Sequence, residues 1–297
     1  MKQVVWSQWG DLQVPDTFLR LSPETCDLKS GDLSSITFYV PPYMSGRDGL
    51  VPALNMENLK TLQLLMAGYE DALEFVKPGI QLCNARGVHD ASTAELAVGL
   101  AISVRRGFQD FVRAQDRQEW SHKRYSSLSD SNIAIIGFGS IGQTLAKYLD
   151  AYDVSIASYS RSGTSGSKVI SEFDNDISKF DIIFLTLPLN SESENYFDAT
   201  RLSRMKDGSV LINVSRGSVV ETEALVKELD SKRIFAGLDV TNPEPLPKGH
   251  PLWSVPNCII TPHVGGDSTA FESRGKRFVE QQLIRIASGE PLINRVT

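Results

Sequence analysis

From residue 132 onward, short runs dense in isoleucine, valine and leucine alternate with amphipathic stretches, and this alternation constrains the fold more than any other feature of the chain. The apolar runs read NIAII, VSIAS, DIIFLTL, SVLINV, IFAGLDV and NCIIT. Runs with no polar alternation bury both faces, the condition of a strand inside a parallel sheet covered by helices on each side. Six of them interleaved with helical patterns predict an α/β, doubly wound parallel-sheet domain.

The first 90 or so residues differ. Shorter strand candidates, SSITFYV at 34–40 and TLQLL at 61–65, are separated by turns containing proline and glycine, the mark of a smaller α/β unit. Ser92-Thr93-Ala94-Glu95 then has the spacing of a capping box and predicts that a long helix starts there, with Leu96, Leu100 and Val104 at helical spacing and a polar end near Trp120. The stretch SHKRYSSLSDS reads as a loop into the strand-rich region. After the sixth strand, residues from about 268 to 288 are helical again and are expected to return to the first unit. The expected division is therefore 1–91 with 269–297 as one domain and 92–268 as the other.

Thirty basic against thirty-six acidic residues give a net charge of −6, which argues against a nucleic acid or an anionic membrane as the main partner. The N-terminal MKQVVWSQWG lacks the apolar core of a signal peptide, so a cytoplasmic protein is expected. Cys26, Cys83 and Cys258 are odd in number and widely spaced, so they read as small hydrophobes in a reducing compartment, and no metal site is expected.

Gly137, Gly139 and Gly142 form G-F-G-S-I-G directly after NIAII and open a helix. The pattern alone is weak, but strand, turn, helix and second strand in this order match a dinucleotide-binding unit. Gly137 permits the tight turn, Gly139 the approach of a pyrophosphate and Gly142 the packing of helix on strand, with the helix N-terminus facing the phosphates. The second strand runs into Ser158-Tyr159-Ser160-Arg161-Ser162, where an NAD site carries an acid for the ribose 2′-hydroxyl. No acid is present. Ser160 and Ser162 can donate hydrogen bonds and Arg161 can pair with a 2′-phosphate, which favours NADP(H) over NAD(H).

Arg216 raises a separate question, because it stands just past VLINV, and an unpaired guanidinium is costly to desolvate. Ligands of doubly wound sheets collect at the C-terminal strand ends. The next two strands end at Asp239-Val240 and at Thr261-Pro262-His263-Val264-Gly265-Gly266, with Asn242-Pro243-Glu244-Pro245 between them. Arginine, glutamate and histidine thus share one rim, and the expected partner of Arg216 is a substrate carboxylate.

Together with the glycine turn, N-V-S-R-G, L-D-V-x-x-x-E-P and T-P-H-V-G-G strongly resemble the D-isomer-specific 2-hydroxyacid dehydrogenase family, and the likeness extends to LMAGYEDAL, NARGV and STAELAVGL. The resemblance implies a Rossmann domain beside a flavodoxin-like substrate domain and an NAD(P)-dependent oxidoreductase. It places Arg216, Glu244 and His263 as the catalytic arginine, glutamate and histidine and Asp239 beside the nicotinamide carboxamide. It also implies cofactor contacts at Ser140, Ile141, Pro188 and Val214, a substrate-carboxylate loop at Ala67 and Gly68, and a homodimer held through the long helix of the nucleotide domain. One departure is Thr241, where many members carry an aromatic residue.

Reducing a 2-keto acid requires a hydride at carbon and a proton at oxygen. Histidine suits the proton transfer because its ordinary pKa is about 6.5. Glu244 would fix the imidazole and favour its charged form, and Arg216 would grip the carboxylate with its planar fork. Each residue taken singly has a bland alternative: a solvated loop carboxylate, a turn cap, half of a structural ion pair. His89, His122 and His250 are read as hydrogen-bonded structural residues. The strand end and the NARGV word lean towards glyoxylate and hydroxypyruvate reductases, with phosphite or formate oxidation on the same fold, or a dinucleotide-sensing co-repressor-like module, as alternatives.

Overall fold

A computed structural model describes residues 2–297 and divides the chain into two compact units, 1–89 with 269–297 and 90–268. The first unit holds a five-stranded parallel sheet of β1 (Gln3–Trp6), β2 (Phe18–Leu21), β3 (Phe38–Tyr39), β4 (Thr61–Gln63) and β5 (Gln81–Cys83), in the order β2-β1-β3-β4-β5. This is the flavodoxin-type order. A short helix, α1 (Gly46–Leu50), follows β3. The SSITFYV run contributes only Phe38 and Tyr39 as paired strand, because Leu33 to Ile36 form a turn closed by the Ile36 N–H on the Leu33 carbonyl.

The second unit begins with α2 (Asp90–Arg105) and α3 (Phe108–Asp116). Two expectations are corrected here. The helix starts at Asp90, ahead of the anticipated Ser92 cap: Ser92 and Thr93 lie buried in its first turn, and the Ser92 hydroxyl meets Ser268 Oγ at 2.8 Å. Nor does the helix run unbroken to Trp120. Gly107 adopts a left-handed φ of 64°, and the ring of Tyr125 fills the space a side chain there would need. Tyr125 is fastened in turn by its hydroxyl, which donates to Asp110 Oδ2 at 2.5 Å.

Then come β6 (Asn132–Ile136), α4 (Ser140–Leu149), β7 (Ser155–Ser160), β8 (Lys168–Val169), α5 (Phe173–Asp176), β9 (Ile182–Leu185), α6 (Ala199–Arg204), β10 (Val210–Asn213), α7 (Thr222–Asp230), β11 (Phe235–Leu238) and β12 (Cys258–Ile260). All pairings are parallel, in the order β12-β11-β10-β9-β6-β7-β8. The six expected runs each supply one strand, and β8 is an unanticipated two-residue edge. Burial explains the sequence pattern: all four residues of β9 and of β10 are buried, since helices cover both faces. Each isoleucine or valine so buried contributes on the order of 1.5–3 kcal/mol.

The chain re-enters the first unit as α8 (Thr269–Ala287), whose Phe271, Phe278, Val279 and Leu283 pack with Val5, Trp9 and Phe18. Buried Gln282 donates to Gln63 Oε1 at 2.9 Å, pairing two amides that would otherwise be costly to enclose. Among the described residues, no helix is long and apolar enough to cross a membrane.

Candidate active site

The strand register of the second unit sets the rim. Asn213 at the end of β10 lies opposite Leu238 of β11, and Leu238 lies opposite Ile260 of β12. Whatever follows these three residues must therefore emerge side by side. The followers are Val214 to Arg216, Asp239 to Glu244, and Thr261 to Gly266.

His263 sits in the left-handed region at φ 57°, a conformation that costs a residue with a Cβ about 1–2 kcal/mol. Asp239, 2% exposed, holds it there. Its backbone carbonyl accepts the His263 N–H at 2.8 Å. Its carboxylate accepts the Thr261 hydroxyl at 2.6 Å, the Val264 N–H at 2.9 Å and the Gly265 N–H at 2.8 Å. The turn is thus tied at both ends to one buried carboxylate.

The ring so presented meets Glu244: His263 Nδ1 lies 2.5 Å from Glu244 Oε1, leaving Nε2 on the other side of the imidazole. This bond, reinforced by the glutamate charge, raises the histidine pKa above 6.5 against the lowering effects of partial burial and of Arg216. For Glu244, partial burial pushes the carboxyl upward, but the His263 bond and charge, the Thr241 N–H and Arg216 outweigh it, and the carboxyl titrates below its ordinary 4.5. Each partner favours the charged form of the other.

Arg216 has no carboxylate within ion-pair distance among the described residues. A single guanidinium bond, Nη1 to the Ser215 carbonyl at 2.8 Å, occupies one of its five N–H donors. Its charge nevertheless reaches both Glu244 and His263. The backbone beneath it is fixed by Asn213, 1% exposed: Nδ2 donates to the Arg216 carbonyl at 3.0 Å, and Oδ1 accepts the Ser215 N–H at 3.0 Å and hydroxyl at 2.8 Å. Sequence reasoning passed over Asn213, although N-x-S at a strand end spells a side-chain-closed turn.

The glycine turn fits a dinucleotide. Gly137 has φ 100°, and a Cβ there would stand 2.7 Å from the Thr186 carbonyl; one on Gly142 would collide with the Gly137 carbonyl oxygen. Gly139 is different: it is exposed and has nothing within 4 Å of the Cβ position, so the space above it is open. It caps α4 without a side-chain hydrogen bond, which leaves the helix's first N–H groups available to phosphate oxygens. Ser140 donates its hydroxyl to Asp90 Oδ1 at 3.2 Å, and Ile141 is half-buried beside it. Val214 is buried at the β10 end, and Pro188 is exposed after β9.

At the end of β7, Arg161 and Ser162 are exposed. Ser160 is not a free donor, contrary to expectation: its hydroxyl accepts the Gly163 N–H at 3.1 Å and bonds Ser167 Oγ at 2.7 Å, so it shapes the loop. Among the other histidines, buried His89 bonds the Leu65 carbonyl at 2.6 Å and His250 Nδ1 accepts the Leu252 N–H at 3.2 Å. His122 departs from the expected structural role, being exposed with no hydrogen-bond partner among the described residues. In the first unit, Ala67 and Gly68 follow β4. Asn84 holds the Ala67 carbonyl at 2.8 Å, while the N–H groups of Ala67 and Gly68 have no partner among the described residues.

A family model described as the NAD binding domain of D-isomer specific 2-hydroxyacid dehydrogenases matches residues 98–265. A glyoxylate reductase from Thermofilum pendens is 31% identical over 249 residues, covering 78% of this chain and 73% of that protein. The human glyoxylate reductase/hydroxypyruvate reductase is 30% identical over 250 residues, 79% of this chain and 76% of that one. Among solved structures, a D-isomer specific 2-hydroxyacid dehydrogenase family protein from Aeromonas salmonicida superimposes with a TM-score of 0.85 at 25% identity, covering 100% of this chain and 99% of that one. With its two parallel sheets, its glycine turn and these relatives, the chain belongs to the D-isomer specific 2-hydroxyacid dehydrogenase family.

Proposed function

We propose that the protein reduces a small 2-keto acid of the glyoxylate or hydroxypyruvate kind to the D-2-hydroxy acid, reversibly, with NADPH as the preferred cofactor. The observation that carries this reading is the His263–Glu244 pair on the same strand rim as an arginine that lacks an ionic partner among the described residues. Two relatives named as glyoxylate reductases support the substrate class.

A bound reduced nicotinamide supplies the hydride. The protein's own residues do the rest. Arg216 binds the carboxylate and polarises the keto oxygen as negative charge develops there. His263, whose protonated form Glu244 favours, gives its Nε2 proton to that oxygen and takes one back in the oxidative direction. Ala67 and Gly68 are proposed as N–H donors to a carboxylate in the first unit. For the cofactor, the proposed contacts are Gly137, Gly139, Ser140, Ile141, Gly142, Arg161, Ser162, Pro188, Val214 and Asp239, with Ser160 acting through the loop. NADPH is favoured because an arginine rather than an acid stands at the β7 end.

A homodimer and a cytoplasmic setting complete the proposal. Phe108, Phe111 and Val112 of α3 and Trp120, 99% exposed, offer apolar surface for a second copy. Three free cysteines fit a reducing compartment.

The deciding experiment follows NADPH and NADH oxidation by the purified protein with glyoxylate, hydroxypyruvate, pyruvate and phenylpyruvate, and NAD(P)⁺ reduction with formate and phosphite. Turnover with a keto acid supports the reading. Turnover with formate or phosphite alone, or with nothing, removes it.

A further inference from the structure

Arg161 does not stand alone at the end of β7. Its Nη1 lies 3.4 Å from Oε2 of Glu192, which belongs to the turn after β9. Both backbones are fixed. On one side the Ser160 hydroxyl binds the Gly163 N–H and Ser167 Oγ, and Ser167 donates to the Thr164 carbonyl at 2.6 Å, closing the 161–167 loop on itself. On the other, Asn190 Oδ1 accepts the N–H groups of Glu192 and Ser193 at 2.9 and 3.1 Å, while Ser193 Oγ accepts the Asn190 N–H and donates to the Pro188 carbonyl at 2.6 Å. The meeting of the two side chains follows from two closed turns.

We propose that Arg161 and Glu192 form a charge selector at the ribose 2′ position, in which Glu192 opposes the 2′-phosphate that Arg161 attracts. The inference rests on the NADPH reading above. The side chains are 80% and 70% exposed, so water screens their pairing and a stronger anion displaces it readily. A 2′-phosphate, with charge of about −1.5 to −2 near pH 7, takes the guanidinium in bidentate fashion. Glu192 cannot withdraw far, because its turn is tied. Its carboxylate remains within a Debye length of about 8–10 Å and repels the phosphate. NADH brings only a hydroxyl to this position and meets no such penalty. Glu192 therefore narrows the gap between the two cofactors, and the pair confers dual use with a modest bias where arginine alone would confer a strict one.

The test measures Kd for NADPH and NADH by cofactor fluorescence with the full-length wild type, Glu192→Gln and Arg161→Ala, at low and at high ionic strength. Glu192→Gln should tighten NADPH about three- to tenfold, move NADH less than about twofold, and lose its gain at high salt. If NADPH affinity is unchanged, if both cofactors tighten equally, or if the gain survives high salt as a loop rearrangement would, the selector is overturned. Arg161→Ala separates the two readings. A loss confined to NADPH keeps the NADPH assignment standing even where the selector fails, whereas equal effects on both cofactors remove the assignment and the selector together.

Discussion

Glu244 Oε1 and His263 Nδ1 stand 2.5 Å apart across nineteen residues of chain, and the contact exists because β11 and β12 are adjacent parallel strands whose ends turn out on one rim. The glutamate does more than orient the ring. Its hydrogen bond is the largest influence raising the imidazole pKa, against partial burial, which lowers it.

A pH profile follows. The group's pKa is raised in the folded protein, so the pairing is fully present below the ordinary 6.5 and is lost as pH rises through the raised value. In the proposed reaction reduction needs the protonated ring, so its rate should be flat on the acid side and fall through that value. Glu244→Gln keeps the size of the side chain but removes its charge, and should shift the fall to lower pH and reduce kcat on the order of tenfold or more. An unshifted profile in the variant would show that Glu244 does not set the proton affinity of His263.

Arg216 should respond to substitution in a graded way. If Arg216 plays the proposed role, replacement by alanine removes both the carboxylate grip and the charge opposite the developing oxyanion, a loss on the order of a hundredfold or more in kcat/KM. Lysine restores the charge as a point without the planar fork and should recover part of it. Because the guanidinium has no ion pair to break among the described residues, both variants should melt within about a degree of the wild type. Near-wild-type kinetics for the alanine variant, measured in steady state, would refute the assignment.

The glycine turn separates folding from binding. In Gly137→Ala the new Cβ would stand 2.7 Å from the Thr186 backbone at φ 100°, a strain of about 1–3 kcal/mol, with roughly 2–4 °C of melting temperature lost per kcal/mol. Gly139→Ala meets nothing within 4 Å at an ordinary φ of −78°, so the fold should be indifferent. The methyl group would instead intrude where the pyrophosphate is proposed to approach, weakening cofactor binding about tenfold or more. Thermal melts and cofactor titrations of both variants check this. Equal melting temperatures for the two variants would contradict it.

What the sequence makes legible here depends on how local the cause is. The strands of the second unit are legible because a strand buried on both faces has no polar option, as in β9 and β10. The rim residues follow from strand ends alone. The break at Gly107 is not legible. Glycine within a helical pattern is tolerated at about 1 kcal/mol, and what decides the matter is Tyr125, whose ring fills the space beside it. The Ser92 cap misleads for a similar reason: its hydroxyl answers Ser268, which only the folded unit brings near. The loop-holding bonds of Asp239 run to residues of the next strand's end, so they appear only with the fold.

Asn213 offers a test of whether Arg216 is held in place or merely present. Its amide bridges the Arg216 carbonyl and both polar groups of Ser215 inside a buried turn. Asn213→Ala leaves a half-buried carbonyl and a buried N–H and hydroxyl to find new partners, at up to about 1–3 kcal/mol each where they find none. The protein should melt several degrees lower. More tellingly, the loosened arginine should raise KM for the keto acid more than it weakens cofactor binding, since Val214 is one proposed cofactor contact among several and the glycine turn lies on a different strand end. Asn213→Asp keeps the shape but sets a carboxylate oxygen against the Arg216 carbonyl, and should be worse than alanine at high pH and recover as pH falls and the acid gains a proton to donate. Steady-state kinetics across pH, with cofactor binding measured alongside, read this out. A variant that loses stability with no change in KM would reduce Asn213 to a structural residue.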